Sequence, residues 1–176
     1  MFYRVYCILY NTPIYLIGVY IFVAVFIWTF LAVLFDKKRG WMIVNCVLCF
    51  SYIICVVYVT LLSRTPSSRE ISWLPFQSMF LAIEYSDIYN QIAMNILMFV
   101  PLGLTIPFFI SVINKRCVRT TIIICILFSL CIELCQFAFG LGRCEIDDII
   151  MNTIGASFGC ISYIISNSII MQIKKR

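Results

Sequence analysis

Hydrophobic runs of about twenty residues follow one another along most of this chain, and they constrain its fold more than any other feature. A helix rises about 1.5 Å per residue, so a run of that length crosses the hydrocarbon core of a bilayer. Five stretches qualify, near Ile14–Leu34, Trp41–Leu62, Ile92–Ile113, Thr120–Phe139 and Ile149–Ile170. Composition agrees: 63% of the 176 residues are hydrophobic and 12% are charged, where a soluble domain carries roughly a quarter charged. The fold expected is therefore all-α, a polytopic membrane helix bundle of about five transmembrane helices, with residues 1–176 forming a single membrane domain. The first apolar run passes Leu34 with no small-residue cleavage site behind a short core, so it reads as a span and not a removable signal. Pro101 and Pro107 predict a kink in the third span.

The basic residues orient these spans. Lys37, Lys38, Arg39, Lys115, Arg116, Arg119, Lys174, Lys175 and Arg176 share one side of a five-span arrangement. Arg4, Arg64, Arg69 and Arg143 take the other, with Glu70, Glu84, Asp87 and Glu145. That asymmetry puts the N-terminus outside and the C-terminus in the cytoplasm. The net charge of +5 comes in short clusters between apolar runs, with no basic face or arm, so no nucleic-acid partner is expected. Membrane lipids are. The outer connection around 66–88 carries Trp73, Leu74, Phe76, Met79 and Phe80, which suits a re-entrant or interfacial segment.

The absence of histidine excludes a His-based triad or a His-liganded zinc-water centre. The 10 cysteines fall mostly within apolar runs, where Cys behaves as a small hydrophobe. The Cys46-x-x-Cys49 pair lies inside a span with no second pair, so packing is expected and no metal site.

The informative residues are the polar ones in apolar surroundings, because a carboxylate in hydrocarbon costs several kcal/mol unless paired, protonated or wet. Ser129, Glu133 and Gln136 stand at i, i+4, i+7, on one helical face, with Glu133 about 10 Å below the outer end of its span. Glu145, Asp147 and Asp148 open the last span, where the helix dipole favours carboxylates. Asp148, Asn152, Gly155 and Gly159 form one face of that helix, and Gly155-x-x-x-Gly159 admits close approach of a neighbour. Asn95 on span three and Arg64 at the end of span two stand at the same outer level. Arg64 and Arg143 are candidate partners for Glu133, Asp147 or Asp148.

These residues carry a family resemblance. Asn95-x-x-x-Phe99-x-Pro101-Leu102-Gly103 resembles a signature of the VanZ-like bacterial membrane proteins. So does Ser129-x-x-x-Glu133-x-x-Gln136, followed by Arg143-x-Glu145-Ile146-Asp147-Asp148-x-x-x-Asn152-x-x-Gly155. Leu74-Pro75-Phe76 is similar to the family's short Pro-Phe motif, and the resemblance covers roughly residues 50–165. Glu145 stands where Asp is usual, which keeps the carboxylate; Ser72 stands where an Asn commonly precedes Pro-Phe, which removes an amide. The resemblance implies a multi-pass protein of the bacterial cytoplasmic membrane, related to low-level teicoplanin resistance in Gram-positive bacteria.

Three functions follow as expectations. The leading one is non-enzymatic binding of an amphiphile, either a lipoglycopeptide or a lipid-linked cell-wall precursor. The ligand-binding set is then Arg64, Phe76, Asn95, Glu133, Gln136, Arg143, Glu145, Asp147, Asp148 and Asn152, without cofactor. The second is an intramembrane enzyme on a lipid-linked phosphate or cell-wall precursor, with Glu133 and Asp148 as catalytic candidates and Mg²⁺ held by the acidic residues. The third is an accessory subunit whose polar face contacts another protomer, a homo-oligomer included.

Overall fold

In the computed structural model, residues 39–67, 69–82, 85–110 and 116–174 are described, together with Ile27. Apart from Ile27, the first expected span near Ile14–Leu34 lies outside the described residues, as do Arg4, Lys37, Lys38, Glu84, Lys115, Lys175 and Arg176. Helix α1, Arg39–Val57, runs into a π-helical turn at Tyr58–Leu62. A two-residue strand β1 (Ile71–Ser72) and a short helix α2 (Gln77–Leu81) follow. Then come α3 (Ser86–Ile110), α4 (Cys117–Phe139), a two-residue strand β2 (Cys144–Glu145) and α5 (Ile146–Lys174). Four of the described helices are long and apolar enough to cross a membrane: Met42–Leu62, Asp87–Ile110, Cys117–Phe139 and Ile146–Ile169. The chain is an all-α polytopic bundle.

Both α3 and α5 start earlier than the hydrophobic runs suggest, because a membrane helix does not stop where apolar residues stop. The polar stretch from Ser86 to Gln91 continues the α3 helix with Asp87 in its first turn, where the dipole favours it. α3 also runs unbroken through Pro101 and Pro107. Around Pro101, Tyr52 of α1 donates its hydroxyl to the Met98 carbonyl at 2.9 Å, and Thr105 Oγ1 donates to the Pro101 carbonyl at 2.8 Å. Partners of this kind let a proline persist inside a span. At its far end α4 stops on Gly140, whose φ of 65° reverses the chain while Leu141 N–H returns to the Gln136 carbonyl at 2.8 Å.

The tightest seam is between α3 and α5. A Cβ at Gly155 would meet the Ile96 backbone, one at Gly103 the Ala156 backbone, and one at Gly159 the backbone of Val100, Gly103 and Leu104. Only glycine permits that approach, so the Gly155-x-x-x-Gly159 expectation holds, with α3 as the partner. Val56, Phe99, Leu102, Cys125, Ile132 and Ala156 fill the core, and Phe128 tilts against Phe99 with ring centroids 6.0 Å apart. Large apolar side chains such as Val47, Phe50, Leu127 and Ile161 point outward, an arrangement that suits lipid as the surrounding solvent.

The strands are a departure from the all-helical expectation. β1 pairs with β2 in parallel, Ile71 opposite Cys144 and Ser72 opposite Glu145. Flanking bonds run from Ser67 N–H to the Gly140 carbonyl (2.8 Å) and from Cys144 N–H to the Glu70 carbonyl (2.9 Å). The long connection after α1 is thus fastened as a strap over the α4–α5 connection. Two residues per strand leave no periodic pattern for a sequence to display.

Candidate functional site

The ends of α1 and α4 and the beginnings of α3 and α5 meet under this strap. The Ser129–Glu133–Gln136 face of α4 is buried as its spacing predicts, Glu133 being 2% exposed. Each of the three meets a different partner. Ser129 Oγ accepts from Asn152 Nδ2 at 2.8 Å, Glu133 Oε2 accepts from the Glu145 N–H at 3.0 Å, and Gln136 Nε2 donates to the Thr60 carbonyl at 3.1 Å. Glu133 also faces Asp148 of α5, near enough for each carboxyl to act electrostatically on the other. Asp148 Oδ1 in turn accepts from Asn95 Nδ2 of α3 at 2.7 Å. A carboxyl pair is thereby held between α4 and α5, with an amide from α3 fixing one side.

Asp147 does something else. Its Oδ1 accepts from the Phe76 N–H at 2.5 Å and its Oδ2 from the Ser78 N–H at 2.7 Å. Both amides lie at the start of α2, and Phe76 is the only non-glycine residue with positive φ (65°) among those described. A carboxylate from another element thus caps the short helix and holds a backbone conformation that L-residues rarely adopt. Glu145 sits above, with Ser78 Oγ at 3.3 Å from its Oε2. The Phe76 side chain is itself half exposed, among Trp73, Leu74, Met79 and Phe80, all exposed on the strap and α2.

The arginines divide. Arg64, exposed at the end of the π-helical turn, acts electrostatically on both Glu133 and Asp148, and its Nη1 lies over Gly142. Arg143 does not join the carboxyl pair. It forms an exposed ion pair with Glu70, Nε to Oε2 2.7 Å, because Cys144 and Glu70 are joined in the strap ladder and the adjacent side chains turn outward together. Such an exposed pair contributes at most about 1 kcal/mol. The expectation that Arg143 neutralises Glu133, Asp147 or Asp148 is corrected accordingly. Asn152, placed by its spacing on one face with Asp148 and Gly155, turns to Ser129 on α4, whereas Gly155 and Gly159 lie against α3 and Asp148 meets both helices.

Two features escape the sequence. Thr60 presents its carbonyl to Gln136 from a π-helical turn, a deviation found often at functional sites. Ser78 joins the acidic set through its backbone and hydroxyl. Neither residue is unusual for its position, so no signal marks them. Cys144, on β2, has its thiol pKa pushed up by burial first and then by the Glu133 and Asp148 charges, which makes it a weak nucleophile. No group of three or more metal-liganding side chains is found among the described residues.

A family model described as VanZ/LLP1 matches residues 49–167. The chain belongs to the VanZ/LLP1 family. That VanZ/LLP1 segment reaches into all four described spans and contains every residue of the site, from Arg64 to Asn152. The extent agrees with the 50–165 read from the motifs. No curated protein and no solved structure matches the chain.

Proposed function

We propose that this VanZ/LLP1 protein binds an amphiphile from the outer leaflet of the bacterial cytoplasmic membrane, a lipoglycopeptide or a lipid-linked cell-wall precursor, and so lowers susceptibility to teicoplanin. The observation that carries this reading is buried Glu133 facing half-buried Asp148 beside an exposed Arg64, with exposed Trp73, Leu74, Met79 and Phe80 on the neighbouring strap and α2. Polar groups from four elements meet where apolar surface also opens, which is what a ligand with a polar head and an apolar tail requires. The strand ladder and Asp147 fix this geometry before any ligand arrives, which lowers the ordering cost of binding.

The test is teicoplanin protection by variants expressed at wild-type levels. Glu133→Gln, Asp148→Asn and Arg64→Ala each abolish protection. Arg143→Ala, which breaks only a surface pair, leaves it within about twofold. Full protection by the first three together would refute the reading.

The facing carboxyls also favour a second reading, an intramembrane enzyme in which Glu133 and Asp148 take a proton from an attacking water and return it to the leaving group of a lipid-linked phosphate. It requires a product that accumulates with time and responds to a divalent cation. Protection at a stoichiometric ratio with the lipid unchanged excludes it.

A further inference from the structure

The polar groups under the strap are unequally matched. Both oxygens of Asp147 are filled by backbone N–H groups, whereas Glu133, Asp148 and Glu145 each take a protein donor on one carboxyl oxygen and keep the other for a ligand. Against them, among the described residues, stands Arg64, since Arg143 is paired with Glu70 and Arg69 lies over Gly140. A second, independent observation comes from Gln136, 1% exposed. Its nitrogen must be the atom facing Thr60, because a carbonyl can only accept, and this fixes the identity of its oxygen. That Oε1 is buried without a hydrogen-bond partner. It stands three residues beyond Glu133 on the same face of α4, and a buried acceptor left unmet is destabilising until a donor reaches it.

We propose that the site takes a zwitterionic head: an ammonium group donates to Glu133, Asp148 and Gln136 Oε1, and an anionic group a few atoms away pairs with Arg64. This rests on the amphiphile reading above and names the class of head. An ammonium carries three donors and no acceptor, which suits carboxyls beside the unpartnered amide oxygens of Gln136 and Asn152. An anion alone at the same place would meet like charges. Arg64, at the exposed rim, offers the planar fork that suits phosphate or carboxylate. The aminophospholipids of the surrounding leaflet carry this pair of groups at short spacing.

The experiment uses the full chain purified in detergent and three lipid probes with identical tails. These are phosphatidylethanolamine, its N-acetylated derivative (phosphate kept, ammonium removed) and phosphatidylglycerol, with retention measured by native mass spectrometry. The expected result is at least about tenfold tighter retention of phosphatidylethanolamine than of either other lipid, the effect of losing one charged hydrogen-bonding group. Free phosphoethanolamine competes for the site and glycerol phosphate does not. Gln136→Met weakens phosphatidylethanolamine severalfold and leaves the acetylated lipid unchanged; the comparison on the unaltered chain stands whether or not this variant folds. Equal retention of all three lipids overturns the zwitterion and leaves the amphiphile reading intact. Retention of none overturns both.

Discussion

At the scale of single residues, neighbouring carboxylates have separate duties that spacing cannot distinguish. Asp147 and Asp148 are adjacent in the chain, yet one caps α2 across the strap and the other joins Glu133 and Asn95. Asp147→Asn replaces one accepting oxygen by an N–H₂ that faces a backbone N–H. The loss of a charged acceptor costs about 1–3 kcal/mol, read as a lower midpoint of thermal unfolding in detergent. An unchanged midpoint would mean that α2 keeps its conformation without the cap. Cys144 reports on the other carboxyls. Its raised pKa reduces the thiolate fraction at any pH below that value, so maleimide reacts with it more slowly at pH 8 than with an unburied thiol. Glu133→Gln removes one of the charges responsible and speeds the reaction, though burial, the larger cause, remains.

At the scale of elements, the α3–α5 seam determines where the site groups stand. Gly155 lies against the Ile96 backbone, one residue from Asn95, so a displacement at that crossing moves the amide that holds Asp148. Gly155→Ala puts a methyl group where backbone already lies and costs about 1–3 kcal/mol or more, since neither helix can yield locally. The unfolding midpoint falls and teicoplanin protection falls with it. Ala156→Gly, on the same helix, lowers the midpoint without a clash and preserves more of the protection at equal loss of stability. If both variants lose protection in proportion to stability alone, the seam has no positional role. The π-helical turn is a second device at this scale. The turn carries the Thr60 carbonyl that Gln136 holds, and Arg64 follows two residues after its end.

At the scale of the whole molecule, the site is useful against drugs that act outside the cell only if the strap faces outward. Arg64, Arg69 and Arg143 lie at the strap end, while Arg116 and Arg119 lie at the start of α4, the opposite end of the bundle. In a background without the native cysteines, Thr65→Cys is labelled in intact cells by a membrane-impermeant maleimide. Arg119→Cys is labelled only after permeabilisation. The reverse pattern would put the carboxyl pair at the cytoplasmic leaflet and remove the proposed contact with teicoplanin.

The spans, the buried face of Ser129, Glu133 and Gln136, and the close packing at Gly155 and Gly159 were legible in the sequence, because hydrocarbon forces both length and helical periodicity onto the residues. The pairings were not. Glu133 meets Asp148, Asp147 reaches Phe76 and Ser78, and Arg143 turns to Glu70, and each depends on a two-residue strand pairing and one backbone-to-backbone crossing. Contacts of that kind join residues about 15 to 70 positions apart. They arise only when the helices have packed and the strap has closed, since local spacing fixes which face a side chain occupies and not which partner that face will meet.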